Sequence, residues 1–298
     1  MTQVISVITK DYALLASDRR LIFGEGSNLG DVADDDTCKL VSVCNICGVG
    51  YTGLARLEGS PTHEWIAKTL ASGACREGLT ASQLLSINSE RIFSKLKLPK
   101  GVPQQFLIAG WGLFQELEGL HAFMRLVSNA HDQSGRTLPQ PSDSFSSLLK
   151  VLVNETLFCC SIGQPLTSHR SGQLVRNLEQ LVKREIGPQA ALRLLVDEIV
   201  NTSLTNSAVG RKVLGFCIPK GSVERQIATG GSMALAKQPD KETVTFTYFE
   251  PEFNELRQCG PTFICGEYAQ TDVVTENDLA RNFQSSQFRI LSMPKKKP

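Results

Sequence analysis

Residues 2–20 read TQVISVITKDYALLASDRR, and this stretch decides the fold that the sequence predicts. Two apolar runs, at residues 4–8 and 12–16, lie on either side of a short polar turn. Short β-prone runs joined by a tight polar turn are typical of a β-hairpin. We therefore expect a hairpin that holds Thr2 and Asp18 within one small unit of structure.

A further strand and a glycine cluster follow the hairpin. Residues 39–43 read KLVSV, a strand candidate that begins with Lys39, after a looser segment at residues 21–38. Residues 48–53 read GVGYTG and end on Gly53. A purely structural interpretation of Lys39 and these glycines stays open. Glycines supply positive φ angles in turns, and a lysine often begins a strand.

The spacing of five residues resembles the start of catalytic proteasome β-type subunits, a family of N-terminal-nucleophile hydrolases; the five are Thr2, Asp18, Arg20, Lys39 and Gly53. The match needs no gap from Thr2 to Arg20, and none from Lys39 to Ala55. A few extra residues lie in the loop between. The resemblance covers the first third of the chain closely and the rest in outline. It implies an α+β fold, a four-layer αββα sandwich of the N-terminal-nucleophile hydrolase type.

The resemblance also implies a chemical role for each residue of a catalytic group. Thr2 would be the nucleophile once Met1 is removed, with its own α-amine as the base. Such an amine has a pKa of about 7.7–8.0, so part of it is neutral near physiological pH. Lys39 would lower the pKa of the Thr2 hydroxyl, and Asp18 would orient and balance Lys39. The backbone N–H of Gly53 would hold the developing oxyanion.

On this interpretation Lys39 serves chemistry rather than packing. The change Lys39→Ala is therefore expected to abolish hydrolysis and leave the fold intact. The resemblance further implies a substrate pocket beside Thr2, lined by Leu21, Tyr51 and Ala55. Because Tyr51 is bulky, the pocket is expected to be shallow and to favour small or medium apolar side chains over basic ones. The Tyr51 hydroxyl can also bond a backbone group.

Two supporting positions depart from the family pattern. The family carries a glycine–serine loop after its middle strand, and this chain has Gln164 where the serine is expected. The family also carries an aspartate and a serine ahead of a glycine pair. The nearest stretch here, residues 205–210, offers Asn206 near the place of the aspartate and no clear counterpart of the serine. These groups normally support the amine of the threonine, so the departures concern proteolytic activity more than the fold.

Three functions are compatible with this pattern. The first is a threonine-type amide hydrolase, a peptidase that acts on peptide or protein substrates within a homo-oligomeric ring. The second is a catalytically silent, proteasome-like scaffold or binding subunit, which the departures at Gln164 and Asn206 favour. The third is a small-molecule amidase that uses the same nucleophile without a ring. No cofactor is expected, and the sequence identifies no ATPase or other regulator.

Composition is that of an ordinary globular protein, with 41% hydrophobic and 20% charged residues. Lysine and arginine number 31 against 30 acidic residues, so the net charge of +1 gives no indication of a nucleic acid or a membrane as partner. No run reaches the ~18 apolar residues of a membrane helix. The start of the sequence lacks the pattern of a secretory signal. These features favour a cytoplasmic protein.

The nine cysteines lie mostly within apolar runs, which indicates buried, reduced thiols. The pairs Cys44 with Cys47 and Cys259 with Cys265 suggest a zinc site at first sight. Neither pair belongs to a doubled C-x-x-C pattern, and the surrounding residues are strand-like. We therefore expect no metal site.

The chain is expected to form one domain at residues 1–270, with a loop insertion at 128–147 and a polar C-terminal tail at 271–298. The insertion is rich in Ser, Pro, Gln and Asp. Apolar periodicity predicts four helices, at 54–73, 81–98, 171–185 and 188–202. In the first, Ser60-Pro61 resembles an N-cap and a first-turn proline, so the regular part is expected to begin there. Later strands are predicted at 105–113, 120–127, 157–163, 212–218 and 243–249, a hairpin is expected to be completed by 256–268, and a loop is predicted at 221–241.

Trp65, Ile66 and Leu70 lie on the first predicted helix. In the related family the outer helices contact neighbouring subunits. These three side chains are therefore candidates for a ring contact, although they would equally suit contact with the sheets of their own subunit.

Overall fold

A computed structural model describes residues 2–22, 30–43, 46–72, 78–95, 101–228, 245–251, 255–261, 270–271 and 289–290. This part of the chain is mixed α and β. The helices are α1 (Thr62–Ser72), α2 (Gly78–Lys95), α3 (Ser168–Lys183), α4 (Pro188–Thr205) and α5 (Lys220–Ala228). The first ten strands are β1 (Gln3–Thr9), β2 (Tyr12–Asp18), β3 (Leu21–Ile22), β4 (Val32–Asp34), β5 (Leu40–Val43), β6 (Cys47–Thr52), β7 (Arg56–Leu57), β8 (Ser60–Pro61), β9 (Gln105–Leu113) and β10 (Leu120–Ser128). The later strands are β11 (Ser146–Val151), β12 (Leu157–Gly163), β13 (Val213–Pro219), β14 (Thr245–Glu250), β15 (Glu255–Pro261), β16 (Gln270–Thr271) and β17 (Arg289–Ile290).

The strands form two large sheets and two small ribbons. The six-stranded sheet has the order β12-β1-β2-β13-β14-β15, and the seven-stranded sheet has the order β11-β10-β9-β6-β5-β16-β17. All pairings within both sheets are antiparallel. The ribbons are β3-β4 and β7-β8. The hairpin β1-β2 therefore lies inside the six-stranded sheet, with neighbours on both sides.

Buried apolar side chains form three clusters that order these elements. The first cluster joins α1 and α2 to the seven-stranded sheet. The second joins the two sheets, and the third joins the six-stranded sheet to α3 and α4. Strand β1 contributes to two of them by the two-residue alternation of a β-strand, with Val4 and Ile8 between the sheets and Ile5 and Val7 against the helices. Burial on both faces explains why β1 and β2 read as continuous apolar runs.

The predicted hairpin is confirmed. Strands β1 and β2 pair from Val4 opposite Ser17 to Ile8 opposite Ala13. In the turn, the Thr9 hydroxyl accepts the backbone N–H groups of Asp11 and Tyr12, at 3.2 and 3.0 Å. The Thr9 side chain thus closes the turn at one end of the hairpin. The candidate site lies at the opposite end, where β1 begins and β2 ends.

Most predicted elements match the structure, and two do not. Strands β9 and β12 have the predicted bounds. The predicted N-cap at Ser60-Pro61 is wrong, since these residues form β8 and the helix begins at Thr62. The loop predicted at 221–241 is wrong in its first part, because α5 continues to Ala228; residues 229–241 lie outside the described part of the chain.

The predicted insertion at residues 128–147 overlaps both of its neighbouring strands. Ser128 ends β10, and Ser146 and Ser147 begin β11, a strand that the sequence did not predict. The connection itself covers residues 129–145. Of the tail predicted at 271–298, the structure describes only Thr271 and Arg289–Ile290.

Trp65, Ile66 and Leu70 belong to the cluster between α1, α2 and the seven-stranded sheet, where each is at most 4% exposed. The interpretation of these three side chains as a ring contact is therefore wrong, and the alternative that they face a sheet is confirmed. In the described part of the chain, no helix has the length and apolar character needed to cross a membrane.

Trp111 joins the two sheets through a buried hydrogen bond from its indole N–H to the backbone carbonyl of Ile218, at 3.0 Å. We expect Trp111→Phe to lower the free energy of unfolding by about 1–3 kcal/mol, because it removes this bond and leaves unfilled volume in the second cluster. Urea unfolding measures the change. The control is Leu113→Ala on the same strand, since Leu113 is 64% exposed and its loss should cost less than about 0.5 kcal/mol. Equal effects from the two variants would contradict the role of Trp111.

Candidate active site

Lys39 is fully buried and lies directly before β5. Its Nζ donates hydrogen bonds to the Thr2 hydroxyl oxygen at 2.8 Å and to Asp18 Oδ2 at 3.1 Å. It also donates to the backbone carbonyl oxygen of Arg20. A lysine ammonium has three N–H donors, so these three acceptors match its full capacity. The structure thus brings together three of the four residues predicted to be catalytic.

Asp18, at the end of β2, is fully buried as well. Its Oδ1 accepts the backbone N–H of Gln3 at 2.7 Å. Its Oδ2 accepts the backbone N–H groups of Arg20 and Gly210, each at 3.1 Å, in addition to the Lys39 ammonium. Backbone N–H groups are fixed by the fold, so these donors hold the carboxylate in one position. Asp18 therefore fixes the position of Lys39.

Burial lowers the pKa of Lys39 from its ordinary value, because a low-dielectric surrounding disfavours the charged form. The Asp18 carboxylate raises the same pKa and opposes this effect in part. The net direction is downward, while three acceptors stabilise the protonated form. The Thr2 hydroxyl therefore faces an ammonium that is more acidic than that of an exposed lysine.

Thr2 is held from its carbonyl side by the last residue of β12 and the residue that follows it. The backbone N–H of Gln164 donates to the Thr2 carbonyl oxygen at 2.8 Å. Gly163 has a φ of +80°, and a Cβ there would lie 1.9 Å from that oxygen and 3.0 Å from the Thr52 hydroxyl oxygen. A side chain at Gly163 would therefore displace Thr2.

Gly53 follows Thr52, whose hydroxyl oxygen would lie 3.0 Å from a Cβ at Gly163, so the Gly53 turn lies beside the end of β12. Gly53 is exposed and has a φ of +119°. A Cβ there would lie 2.4 Å from the Pro103 carbonyl oxygen, so only glycine fits this turn. Gly53, the predicted oxyanion donor, thus has a backbone position that a residue with a side chain cannot occupy.

The three residues predicted to line a pocket differ in their surroundings. Tyr51 is buried in the first cluster, and its hydroxyl donates to the Cys38 carbonyl oxygen at 3.2 Å, as the sequence suggested. Burial raises the pKa of Tyr51 well above its ordinary value, so it stays a neutral donor. Leu21, in β3, is half-buried. Ala55 is half-buried too, and its carbonyl oxygen accepts the Thr62 N–H at 2.9 Å.

The two positions that depart from the family pattern bind each other. The Asn206 side chain donates from Nδ2 to Gln164 Oε1 at 2.8 Å. Asn206 ends α4, and its Oδ1 accepts the backbone N–H of Ala208 at 3.0 Å. Beside the Thr2 carbonyl, this chain therefore has a neutral amide pair in place of a carboxylate and a hydroxyl.

Sequence reasoning missed the salt bridges that fasten the segment before Lys39. The Arg20 guanidinium binds Asp35 through two bonds, at 2.6 and 2.9 Å, and donates to the Ser207 carbonyl oxygen at 2.8 Å. Asp36 pairs with Lys212 at 3.0 Å and with Arg19. The only signal in the sequence is a run of acidic residues at 34–36 after paired arginines at 19–20.

Comparison of the sequence with models of protein families and with curated proteins gives no match. Among the residues that the structure describes, no group of three or more His, Cys, Asp or Glu side chains is arranged to hold a metal ion. Cys38, Cys47 and Cys217 are buried, whereas Cys44 lies outside the described residues.

Because Lys39 is buried, we expect its replacement to lower the stability of the fold as well as to abolish hydrolysis. In Lys39→Ala, the Asp18 carboxylate stays buried without its cation, so we expect a loss of on the order of 3 kcal/mol in the free energy of unfolding. Urea unfolding at pH 7 measures it. The double variant with Asp18→Asn, which removes both charges, should lose less than the sum of the single changes. Additive losses would contradict the coupling of the two residues.

The Arg20 guanidinium holds the pKa of Asp35 below its usual range. A carboxyl group with a lowered pKa in the folded state adds stability above its unfolded pKa of about 3.9, and this stability is lost as the pH falls through the folded pKa. We therefore expect Asp35→Asn to lower the unfolding free energy at pH 7 by up to about 1 kcal/mol, since solvent screens the pair. The difference should shrink below pH 4.

The measurement is urea unfolding of both proteins from pH 7 to pH 3. Asp31→Asn, at an exposed position of the same segment, is the matched control and should show no such pH dependence. A deficit for Asp35→Asn that stays constant down to pH 3 would contradict the ion pair.

Proposed function

We propose that the chain is a threonine-type amide hydrolase of the proteasome β-type, N-terminal-nucleophile kind, with Thr2 as nucleophile. The observation that carries this proposal is the 2.8 Å hydrogen bond from the buried Lys39 ammonium to the Thr2 hydroxyl oxygen. The Asp18 carboxylate, at 3.1 Å from the same ammonium, supports it further. A lysine that served packing alone would not place its charged end against a hydroxyl at a strand terminus.

The finer fold assignment belongs to the same proposal. The three apolar clusters join a helix pair, a sheet, a second sheet and a second helix pair in turn. This order supports a four-layer αββα sandwich of the N-terminal-nucleophile hydrolase type. Thr2 then lies at the end of a strand that is packed between the second sheet and the second helix pair.

The first chemical step is activation of the hydroxyl. When the peptide bond before Thr2 has been cleaved, the free α-amine is the base that accepts the hydroxyl proton. Lys39 donates to a lone pair of Thr2 Oγ1, so the hydroxyl proton stays free for transfer to the amine. The positive charge of Lys39 then stabilises the oxygen as it becomes negative.

The second step is acyl transfer. The Thr2 oxygen forms a bond to the carbonyl carbon of the substrate amide, and the Gly53 N–H stabilises the oxyanion. The C–N bond then breaks, the leaving amine takes the proton from the Thr2 ammonium, and an ester to Thr2 remains. A water molecule, deprotonated by the same amine, attacks this ester, releases the carboxylic acid and restores Thr2. Loss of one oxyanion donor typically costs ~10²–10³ in rate.

The substrate is proposed to be a peptide or a protein with a small or medium apolar side chain beside the cleaved bond. The Tyr51 ring is fixed by burial and by its bond to the Cys38 carbonyl, so it cannot swing away to admit a long side chain. Leu21 and Ala55 add apolar surface and no carboxylate that would bind a basic group.

A catalytically silent scaffold is the second candidate, and the Gln164–Asn206 amide pair favours it. This neutral pair offers no carboxylate to support a charged amine beside Thr2. Assembly into a homo-oligomeric ring stays a prediction of the resemblance. A cytoplasmic location stays a prediction of the sequence composition, and a regulator stays unidentified.

Mature protein is expected to begin at Thr2, and Thr2→Ala is expected to abolish peptide hydrolysis because the nucleophile is lost. Thr2→Ser, which keeps a hydroxyl and the amine, should retain activity. Intact-protein mass spectrometry and turnover of fluorogenic peptides test both expectations.

Thr156→Ala is the matched control, because Thr156 is exposed near the far end of β1 from Thr2. Full activity in Thr2→Ala would count against Thr2 as the nucleophile. Mature protein that still carries Met1 would count against the hydrolase and leave the scaffold. No turnover by the wild type in any peptide mixture would do the same.

Cleavage of a peptide library is expected to show alanine, valine and leucine beside the cleaved bond far above arginine and lysine, because the pocket is shallow and uncharged. The profile is read by mass spectrometry of the products. A profile dominated by basic residues would contradict the assignment of Tyr51 to the pocket.

A further inference from the structure

Two adjacent glutamines lie where β9 begins: Gln104 directly precedes the strand and Gln105 is its first residue. Both are buried, at 0% and 7% exposure. Gln104 accepts a hydrogen bond from the backbone N–H of Leu54, which follows the Gly53 turn, and Gln105 accepts one from the backbone N–H of Gly163, the last residue of β12. Sequence analysis gave neither residue a role.

Gln104 holds the turn that contains Gly53. Its Oε1 accepts the backbone N–H of Leu54 at 2.8 Å, and a Cβ at Gly53 would lie 2.5 Å from the same oxygen. The backbone of Gln104 is itself fixed, since its N–H donates to Asn129 Oδ1 at 2.7 Å and its carbonyl accepts the Asn129 N–H at 3.3 Å. The peptide plane that follows Gly53 is thus fastened to a rigid strand.

Gln105 holds the end of β12. Its Oε1 accepts the backbone N–H of Gly163 at 3.0 Å, next to the residue whose amide binds the Thr2 carbonyl. Its Nε2 lies 3.4 Å from Ser128 Oγ and 3.2 Å from His131 Nδ1, which fix the orientation of the carboxamide. Two adjacent residues at the start of β9 therefore join the Gly53 turn to the end of β12.

Stability alone does not explain Gln104. Its Nε2 is buried and has no hydrogen-bond partner among the described residues. A buried donor without a partner destabilises the folded state. If the bond to Leu54 served no purpose, an apolar side chain of similar size would give a more stable protein. What the glutamine contributes is the oxygen that orients the Gly53 turn.

We propose that Gln104 and Gln105 are positioning residues for hydrolysis at Thr2. Gln104 orients the turn so that the Gly53 N–H points at the developing oxyanion, and Gln105 holds the end of β12 so that the Thr2 hydroxyl stays within reach of the substrate carbonyl. This inference rests on the proposed hydrolase activity. It predicts that both glutamines act on the rate of the chemical step rather than on substrate binding.

The test compares Gln104→Met and Gln105→Met with the wild type in peptide hydrolysis. Methionine keeps the length and the packing of the side chain and removes its hydrogen bonds. We expect kcat to fall by about 10–100-fold, as small displacements of reacting groups do, with KM changed by less than about 3-fold. Gln133→Met, at an exposed position in the connection after β10, is the control and should keep both constants.

A second measurement tests the bracing itself, without turnover. In amide hydrogen exchange, Gln104→Met should speed exchange at Leu54, and Gln105→Met should speed it at Gly163, while amides of β1 stay protected. In Gln104→Glu, a carboxyl oxygen still accepts the Leu54 N–H, so protection there should be kept. Exchange that rises evenly through the whole chain, or at neither site, overturns the proposal.

The outcomes separate this proposal from the one on which it depends. If the wild type hydrolyses peptides and both methionine variants have the same kcat as the wild type, the positioning role is overturned and the proposed hydrolase activity stands. A fall in kcat matched by an equal fall in Gln133→Met also overturns it. No hydrolysis by the wild type overturns the hydrolase and the positioning role together.

Discussion

The rest of the site depends on the hydrogen bonds of one buried ammonium, that of Lys39, at the open end of the hairpin β1-β2. Removing a charge from water costs several kcal/mol unless partners replace the lost hydration. Lys39 has three such partners, the Thr2 hydroxyl, the Asp18 carboxylate and the Arg20 carbonyl. If one of them moved, the charged form of Lys39 would lose part of its compensation and the pKa of Lys39 would fall further. The charged lysine therefore depends on Thr2 keeping its position.

The fold meets this demand by bringing distant segments of the chain to the ends of β1 and β2. The hairpin supplies Thr2 and Asp18 from opposite strands, and Gly210, which follows α4, donates its backbone N–H to the same carboxylate. The loop after β12 binds the Thr2 carbonyl through Gln164. Both large sheets and the second helix pair thus contribute to one small volume, and a change in their packing would be felt at Thr2.

The sequence was most informative where a local pattern carries the structure. Strands β9 and β12 have the predicted bounds because each is a short apolar run that ends at turn residues. Strand β11 was missed, since SSLLKV is short, half-buried and directly follows a polar loop. At α1 the start was misplaced because Ser60-Pro61 also suits a small ribbon, and no local signal separates the two.

The same distinction applies to the site. Thr2, Asp18, Lys39 and Gly53 could be named because their types and spacing resemble the start of proteasome β-type subunits. The backbone groups of Arg20, Gly210 and Gln164 could not, since every residue has an amide and a carbonyl. Likewise, neither Gln104 nor the Gln164–Asn206 pair has a signal in the linear sequence, because their partners are 50 and 42 residues away. Tertiary packing alone brings them together.

The most direct measurement is to map the residue that a peptide electrophile modifies, with a reagent that reacts jointly with the hydroxyl and the free amine of an N-terminal threonine. Purified full-length protein is treated, digested and sequenced by tandem mass spectrometry. The account predicts one adduct, on Thr2, in protein that begins at Thr2, and loss of that adduct when Lys39 is replaced by alanine. Protein that begins at Met1 and carries no adduct at Thr2, or hydrolysis that continues while Thr2 is blocked, would contradict it.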